Sequence, residues 1–471
     1  MPPSIAFSNL GCRLNIAESD ALAARFLAAG YRIVGAGESP DVVVVNTCTV
    51  TGQADRKSRN ALQRAIRLPP PRAGGRTATG VPAGGPARGG DRSAAGAVVG
   101  GATRVRERVG PLVVATGCYV TAQGGVARDL PGVDYAVDNA RKNGIFDLVA
   151  AHLAGEVADP AALPADPFGY RPGPQPLHTR ATIKIQDGCD NHCTFCIIPA
   201  VRGRARSRAA PAILQEARRL LADGHHELVV TGVNIGRYDW CGWSFSRLLQ
   251  ELLELPGDFR IRISSLEPDP LDERFIDLTA HDKLCPHLHL CLQSGSDRVL
   301  LRMRREYDVD RYLDLITRIR ATWDRRGVPA HFSTDVLVGF PGETDADFDR
   351  TRTLCERVDF GHIHTFRYSP RAGTRAARMA DAVPEPIKTQ RSAAIRELAA
   401  AGRRRLERRL YGREQRVLVE ETADGFASGY GESYLRVRFP VPHQPAAGEL
   451  RRVTVTRALA DGVLTGIPAG I

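Results

Sequence analysis

Three times in the first part of the chain an apolar segment runs straight into a cysteine: "SIAFSNLGC" ends at Cys12, "DVVVVNTC" at Cys48 and "PLVVATGC" at Cys118. The run of four valines before Cys48 suits a parallel strand covered on both faces, because only such a strand can bury consecutive β-branched residues. Between the segments lie helical patterns. "IAESDALAARFLAAG" is amphipathic and stops at Gly30, and "ADRKSRNALQRAIRL" follows the second strand. Strand and helix in alternation predict an α/β sandwich over residues 1–150. In a parallel sheet, residues just past the strand C-termini gather on one edge, where ligands bind. Three thiols far apart in sequence are thereby expected to meet in space. The alternative is three separately packed structural cysteines.

The chain of 471 residues is long enough for more than one domain. "PPPRAGGRTATGVPAGGPARGGDRSAAGAVVGGATR" interrupts the first region and buries little apolar surface; it reads as a disordered insertion over about 69–108. Residues 175–405 hold six strand candidates with helices between them: "TRATIKIQ", "HELVVTG", "FRIRISSLEP", "HLHLCLQSG", "HFSTDVLVGF" and "HIHTFRYSP". Six such units predict an open, partial α/β barrel. "KTQRSAAIRELAAAGRRRLERRL" reads as one basic helix, either on RNA phosphates or simply solvated. Residues 409–471 shorten to alternating strands with glycine turns, the pattern of a small antiparallel β-barrel.

Lys and Arg number 64 against 53 Asp and Glu, a formal net charge of +11, and most of the cations are arginine. Arginine forks onto phosphates and stacks on bases, which makes nucleic acid a reasonable partner. An arginine-rich overall composition explains the same excess, and charge does not separate the two. No apolar run approaches the ~20 residues that span a bilayer. The N-terminal "MPPSIAFSNLGCRLN" lacks the layout of a signal peptide, so the expected compartment is the cytoplasm. Ten cysteines in such a chain point to ligand or redox roles rather than disulfides.

A second trio stands in "DGCDNHCTFCIIP", where Cys189, Cys193 and Cys196 follow the first barrel strand. Zinc takes four closed ligands, or three with an open position, and a catalytic zinc more often recruits His or Glu. A [4Fe–4S] cluster takes one thiolate per iron, so three cysteines leave one iron free for another ligand. Zinc stays open as the alternative.

"GCDNHCTFC" at the head of a partial barrel resembles the radical S-adenosylmethionine (SAM) superfamily. With the N-terminal trio and the C-terminal barrel, nearly the whole chain resembles the methylthiotransferase family. The fold this implies is an N-terminal α/β sandwich domain, a central partial (β/α)6 radical SAM barrel and a small, TRAM-like β-barrel. The resemblance implies two [4Fe–4S] clusters, on Cys189, Cys193 and Cys196 and on Cys12, Cys48 and Cys118, with SAM as radical source and methyl donor. It implies tRNA as substrate partner, an electron donor such as flavodoxin or ferredoxin, and a sulfur source. "NTCTVTGQADRKSRN", "TGCYVT", "QDGC" and "TGVNIGRYD" most resemble the branch acting on N6-threonylcarbamoyladenosine beside the anticodon. The isopentenyladenosine branch comes second and the ribosomal-protein branch third. A non-catalytic RNA-binding iron–sulfur protein is the reading from another class. Two departures stand out: the long insertion between Cys48 and Cys118, and Ala200 where the family often has an aromatic residue.

Residues at barrel strand ends are candidates for SAM or base contact: Thr231, Gly232 and Asn234 in "TGVN", Ser265 and Glu267 in "SSLEP", Gln293 and Ser294 in "LQSGS", and Asp335. Arg202, Arg204, Arg206 and Arg208 are candidates for tRNA phosphates or a solvated face. Cys241, Cys285, Cys291 and Cys355 read as packed or incidental thiols, and His287 with His289 as a barrel-lining pair rather than metal ligands.

Overall fold

A computed structural model of the chain describes residues 2–70, 110–124, 131–156, 158–170, 178–441 and 445–469. Most of the expected insertion, 71–109, lies outside the described residues. The first sheet is parallel, in the order β2-β1-β3-β4-β5, from β1 (Ser4–Asn9), β2 (Arg32–Ile33), β3 (Val42–Thr47), β4 (Leu112–Gly117) and β5 (Tyr135–Val137). The valine run of β3 divides by parity. Val42 and Val44 pack with Phe26 and Leu148, while Val43 and Val45 pack with Leu62 and Ala65. Both faces are covered, by α1 (Arg13–Ala28) with α4 (Ile145–Leu153) and by α2 (Gly52–Ile66). Burying each of those valines stabilises the sheet by about 1.5–3 kcal/mol. A short helix, α3 (Cys118–Ala122), starts at the end of β4.

The central region begins with β6 (Ala181–Lys184), then a small antiparallel pair, β7 (Gln186–Asp187) and β8 (Arg206–Ser207), which brackets the second cysteine trio and α5 (Ile198–Arg202). The barrel wall continues through β9 (Glu227–Thr231), the hairpin of β10 (Asp239–Trp240) and β11 (Trp243–Ser244), and then β12 (Arg260–Ile263), β13 (Ser265–Leu266), β14 (His287–Leu290), β15 (His331–Val338) and β16 (His362–Arg367). Parallel pairing gives β12-β9-β6 on one side and β13-β14-β15-β16 on the other, so β6 and β16 are the free edges of an open barrel. The run "FRIRISSLEP" breaks into β12 and β13 at Ser264, where the two sheets part. Helices α6 (Ala210–Ala222), α7 (Phe245–Leu253), α8 (Glu273–Leu278), α9 (Asp297–Met303), α10 (Val309–Arg325) and α11 (Asp345–Val358) clothe the outside over one large apolar core.

The basic helix is real and longer than its sequence pattern: α12 (Glu385–Leu410). One side of it is a strut, while Arg396, Arg404, Arg408 and Arg409 on the other are exposed. Ile395, Leu406 and Leu410 are fully buried, and Arg391, Arg403 and Arg405 pair with Glu343, Glu407 and Asp359. Beyond it β17 (Glu414–Ala423), β18 (Phe426–Tyr430), β19 (Arg436–Pro440), β20 (Leu450–Ala458) and β21 (Leu464–Pro468) close a barrel in the order β17-β18-β19-β21-β20. The pairing is antiparallel except between β19 and β21. The segment Tyr430–Tyr434 of this small barrel plugs the floor of the large one. Arg260 and Arg262, fully buried at the start of β12, share Glu227 and donate to the carbonyls of Tyr430, Gly431 and Glu432. His331 Nδ1 lies 2.6 Å from the Ser433 carbonyl oxygen.

The N-terminal sheet is tied to the barrel by charge. Glu18 of α1 is wholly buried among three cations: Lys142 of its own domain, and Lys184 and Arg202 of the barrel at 2.8 and 2.9 Å. Arg202 also reaches Asn15 Oδ1 at 2.8 Å and Asp187 at 3.1 Å, and Lys184 reaches Asp187 at 2.7 Å. Burial alone would raise the Glu18 carboxyl; Arg202, Lys142 and Lys184 overcome it and hold it well below the usual range. Asp187 is likewise held low against burial by Lys184 and Arg202. Both carboxyls have depressed folded values, so their stabilisation is complete above about pH 5 and is lost as pH falls through the acid range. Removing one partner of a buried ion cluster costs about 3–5 kcal/mol, because the others stay buried without compensation. Glu18→Gln is therefore expected to destabilise the chain by about that much in denaturant unfolding at neutral pH, with a smaller difference from the parent in acid. An unchanged midpoint would contradict this role.

Candidate active site

Cys12, Cys48 and Cys118 follow β1, β3 and β4, which are adjacent in the sheet, so the three thiols reach one edge from neighbouring strands. The turns that deliver them are tight. Gly11 has φ +105°, and a Cβ there would stand 2.8 Å from Cys48 Cβ and 3.0 Å from its sulfur. Gly117 has φ +104°, and a Cβ there would lie 2.3 Å from the Thr47 carbonyl oxygen. Ser58 fixes the Cys48 backbone, accepting from its N–H at 3.1 Å and donating to its carbonyl at 2.8 Å. Burial pushes the Cys48 thiol up to about 11, and the nearby Cys12 and Cys118 push the same way. Asn139 Nδ2 donates to the Cys118 sulfur at 3.4 Å and to the Val201 carbonyl at 2.9 Å, so this trio is hydrogen-bonded toward the loop of the other.

Cys189, Cys193 and Cys196 occupy the loop between β7 and α5. The Cys189 N–H donates to the Gly203 carbonyl at 3.1 Å, closing the loop. Backbone N–H groups of Asn191 and Ile198 donate to the sulfurs of Cys189 and Cys196, each at 3.4 Å. Arg305 donates to the Cys193 sulfur at 3.1 Å and pairs with Glu267. Burial, then the charges of Cys193 and Cys189, push the Cys196 thiol up to about 12. Cys193 is raised by burial and partly relieved by Arg305. Crowded, partly desolvated thiols whose sulfurs accept N–H donors fit a metal cluster, which replaces the three thiol protons and disperses the charge.

The strand-end candidates divide. Asn234 turns toward the cysteines: its Nδ2 lies 4.0 Å from the Cys189 sulfur and its buried Oδ1 has no hydrogen-bond partner, as a ligand-facing group would have. Gln186 accepts from the backbone N–H of Val233 and Asn234 at 3.0 and 2.8 Å, holding that turn. Thr231 is buried at the end of β9, and Gly232 is needed for packing, since a Cβ would meet Ile235 at 2.6 Å. Ser265 is exposed on β13, and Glu267 faces Arg305. Gln293 has φ +63° and bridges to β15 through its backbone. Ser294 is fully buried, and its hydroxyl stands 3.3 Å from Thr351 on α11. Asp335 is held low against burial by His289, whose Nε2 is 3.3 Å away. His289, Cys291 and Asp335 offer ligand atoms within 4.8 Å of one another. Ser333 serves both barrel histidines, 3.0 Å from His287 and 3.1 Å from His289, as a lining pair would require.

Two sequence expectations change. Arg202 is buried in the Glu18 cluster and unavailable to phosphate; Arg208 pairs with Glu216; only Arg204 and Arg206 of that run are exposed. Glu18 and Arg305 were missed. Glu18 shares a helix face with Leu14 and Leu22, so a carboxylate on an apolar stripe was a readable sign of a buried partner. Nothing near Arg305 in sequence marks it.

Residues 183–355 match the radical SAM superfamily, and residues 4–75 match Uncharacterized protein family UPF0004. A solved structure of the radical SAM methyltransferase TsrM from Kitasatospora setae, with tryptophan and a SAM analogue bound, superposes with a TM-score of 0.53 at 16% identity. That alignment spans 80% of this chain and 75% of TsrM, and it is a likeness of fold. The chain is thus a radical SAM protein. It is also 32% identical to the Threonylcarbamoyladenosine tRNA methylthiotransferase MtaB of Thermotoga maritima, over 98% of this chain and 96% of that one. The protein of the same name from Bacillus subtilis is 32% identical over 97% and 94%. At that identity over that length, the chain belongs to the threonylcarbamoyladenosine tRNA methylthiotransferase family.

The left-handed turn at Gly117 sets where Cys118 points. Gly117→Ala is expected to destabilise the N-terminal sheet by roughly 1–3 kcal/mol, read as a lower denaturant midpoint. An unaltered midpoint would show that the turn tolerates a side chain.

Proposed function

We propose that this chain inserts a methylthio group at C2 of N6-threonylcarbamoyladenosine in tRNA by radical SAM chemistry. The observation that carries it is two three-thiol sites on one frame, in a chain related along its whole length to enzymes of that name. Three thiolates leave a [4Fe–4S] cluster one open position, and two such sites suit a reaction that needs both a radical and a sulfur carrier. The groups bound there supply an electron for reductive cleavage of SAM and a sulfur destined for the base.

The chain's own part is placement. Cys189, Cys193 and Cys196 hold the SAM-binding cluster, with Arg305 donating to Cys193 and keeping charge balanced beside Glu267. Asn234 offers its free Oδ1 to the bound nucleoside or amino acid. Cys12, Cys48 and Cys118 hold the auxiliary cluster. The Glu18 cluster and Asn139 keep the two sites at fixed spacing, so that a base entering the barrel meets both. The small C-terminal barrel acts as a TRAM-like RNA module: Arg438, Arg451, Arg452 and Arg457 are exposed on β19 and β20, and Arg438 stacks 4.1 Å from the centroid of exposed Phe426. A low-potential donor such as flavodoxin or ferredoxin and a sulfur source complete the reaction. Among the described residues no helix is long and apolar enough to cross a membrane.

Nucleoside mass spectrometry tests this. Anaerobically reconstituted protein with SAM, reductant and sulfide is expected to add a methylthio mass to tRNA bearing N6-threonylcarbamoyladenosine, and not to tRNA bearing N6-isopentenyladenosine. Cys48→Ala and Cys196→Ala should each bind about half the iron of the parent and make no product, but only Cys196→Ala should also lose 5′-deoxyadenosine formation. A gain on the isopentenyl tRNA alone would contradict the substrate.

A further inference from the structure

Arg13 follows Cys12 directly and opens α1. Its half-buried guanidinium stands 4.9 Å from the centroid of Tyr434, the end of the segment that plugs the barrel floor. Two more arginines share that ring, Arg262 at 4.7 Å and Arg180 at 5.6 Å. Each of these has a carboxylate: Arg262 has Glu227 at 2.8 Å and Arg180 has Glu420 at 2.9 Å. Arg13 has no carboxylate in ion-pair contact and no hydrogen-bond acceptor among the described residues; the Tyr434 ring is its neighbour, and Glu227, already shared by Arg260 and Arg262, acts on it only from a distance. Its charge reaches His287 on β14 and His364 on the free edge β16. His287 stacks on the same tyrosine at 5.0 Å. An arginine without a contacting carboxylate thus stands next to Cys12 of the N-terminal cysteine trio, crowded by other cations.

Such an arrangement is unfavourable until an anion arrives. A guanidinium fork suits a carboxylate in particular, binding it through two parallel N–H donors. The N6 substituent of threonylcarbamoyladenosine ends in a carboxylate, whereas the isopentenyl group is hydrocarbon. We infer that Arg13 is the receptor for the substrate's threonyl carboxylate, and that it is what sets the substrate branch of this enzyme. This rests on the proposed substrate. Docking the carboxylate beside Cys12 would also bring the attached adenine toward the auxiliary site. An apolar substituent would leave the guanidinium desolvated and unpaired, which discriminates more strongly than a missing apolar contact.

Binding tests it without chemistry. Fluorescence anisotropy of the full chain is measured with three anticodon stem-loops, carrying threonylcarbamoyladenosine, its primary carboxamide, or isopentenyladenosine. The parent is expected to bind the carboxylate RNA about tenfold or more tightly than the carboxamide RNA. Arg13→Gln should erase that difference, and Arg13→Lys should keep part of it. Equal affinity of the parent for the carboxylate and carboxamide RNAs would overturn the role of Arg13 while leaving the substrate standing. So would full discrimination in Arg13→Gln. A parent that prefers the isopentenyl RNA would overturn substrate and receptor together. Arg13→Lys, which keeps the charge but loses the two-pronged fork, attributes the preference to Arg13 should Arg13→Gln misfold: undiminished discrimination in it would count against the role.

Discussion

A single carboxylate, Glu18, holds three cations in the dry seam between the N-terminal sheet and the barrel. The geometry of the rest depends on it. Glu18 lies on the helix that begins at Cys12, Arg202 ends the helix that follows Cys196, and Asp187 immediately precedes the Cys189 loop. One charge cluster therefore touches the segments that carry both cysteine trios. Burying so many charges is a poor way to gain stability, since desolvation offsets most of the attraction. It is a good way to gain register. An apolar seam tolerates sliding by a fraction of an ångström, while a five-residue ion cluster with fixed hydrogen bonds does not. The proposed reaction, in which two sites act on one base, would need that fixity.

The barrel floor repeats the device. Arg260, Arg262 and Glu227 fix the Tyr430–Tyr434 segment through its carbonyl oxygens. The small barrel is thereby tied to the large one, and its Tyr434 reaches the arginine next to Cys12. A continuous set of contacts runs from the small barrel to the segment that carries Cys12.

Much of this was legible in the sequence where one physical rule dominates. The valine run and the strand–cysteine junctions specify buried parallel strands, and parallel strands force their C-terminal ends together, so the N-terminal trio could be placed; the other trio lies between the strands of the short antiparallel pair, β7 and β8. His287 and His289 alternate on one strand face, and Ser333 is shared between one nitrogen of each. Elsewhere the rule was weaker. β18, "FASGY", has too little apolar alternation to stand out, and its Gly429 is explained only by the neighbouring strand, whose Leu418 carbonyl oxygen would lie 1.7 Å from a Cβ. The arginine run from Arg202 to Arg208 looks uniform in sequence, yet its ends are tucked against Glu18 and Glu216 while Arg204 and Arg206 between them are exposed. Arg305 is distant in sequence from Cys193, and no local pattern encodes a contact closed by the barrel. The split of β12 from β13 depends on how two sheets separate, which periodicity does not register.

Anomalous diffraction at the iron edge, from crystals of the anaerobically reconstituted protein, tests the frame most directly. Two separate iron peaks are predicted, one bound by Cys12, Cys48 and Cys118 and one by Cys189, Cys193 and Cys196, with Glu18 between Lys142, Lys184 and Arg202. A single peak, or a Glu18 turned away from those cations while both peaks persist, would contradict the account.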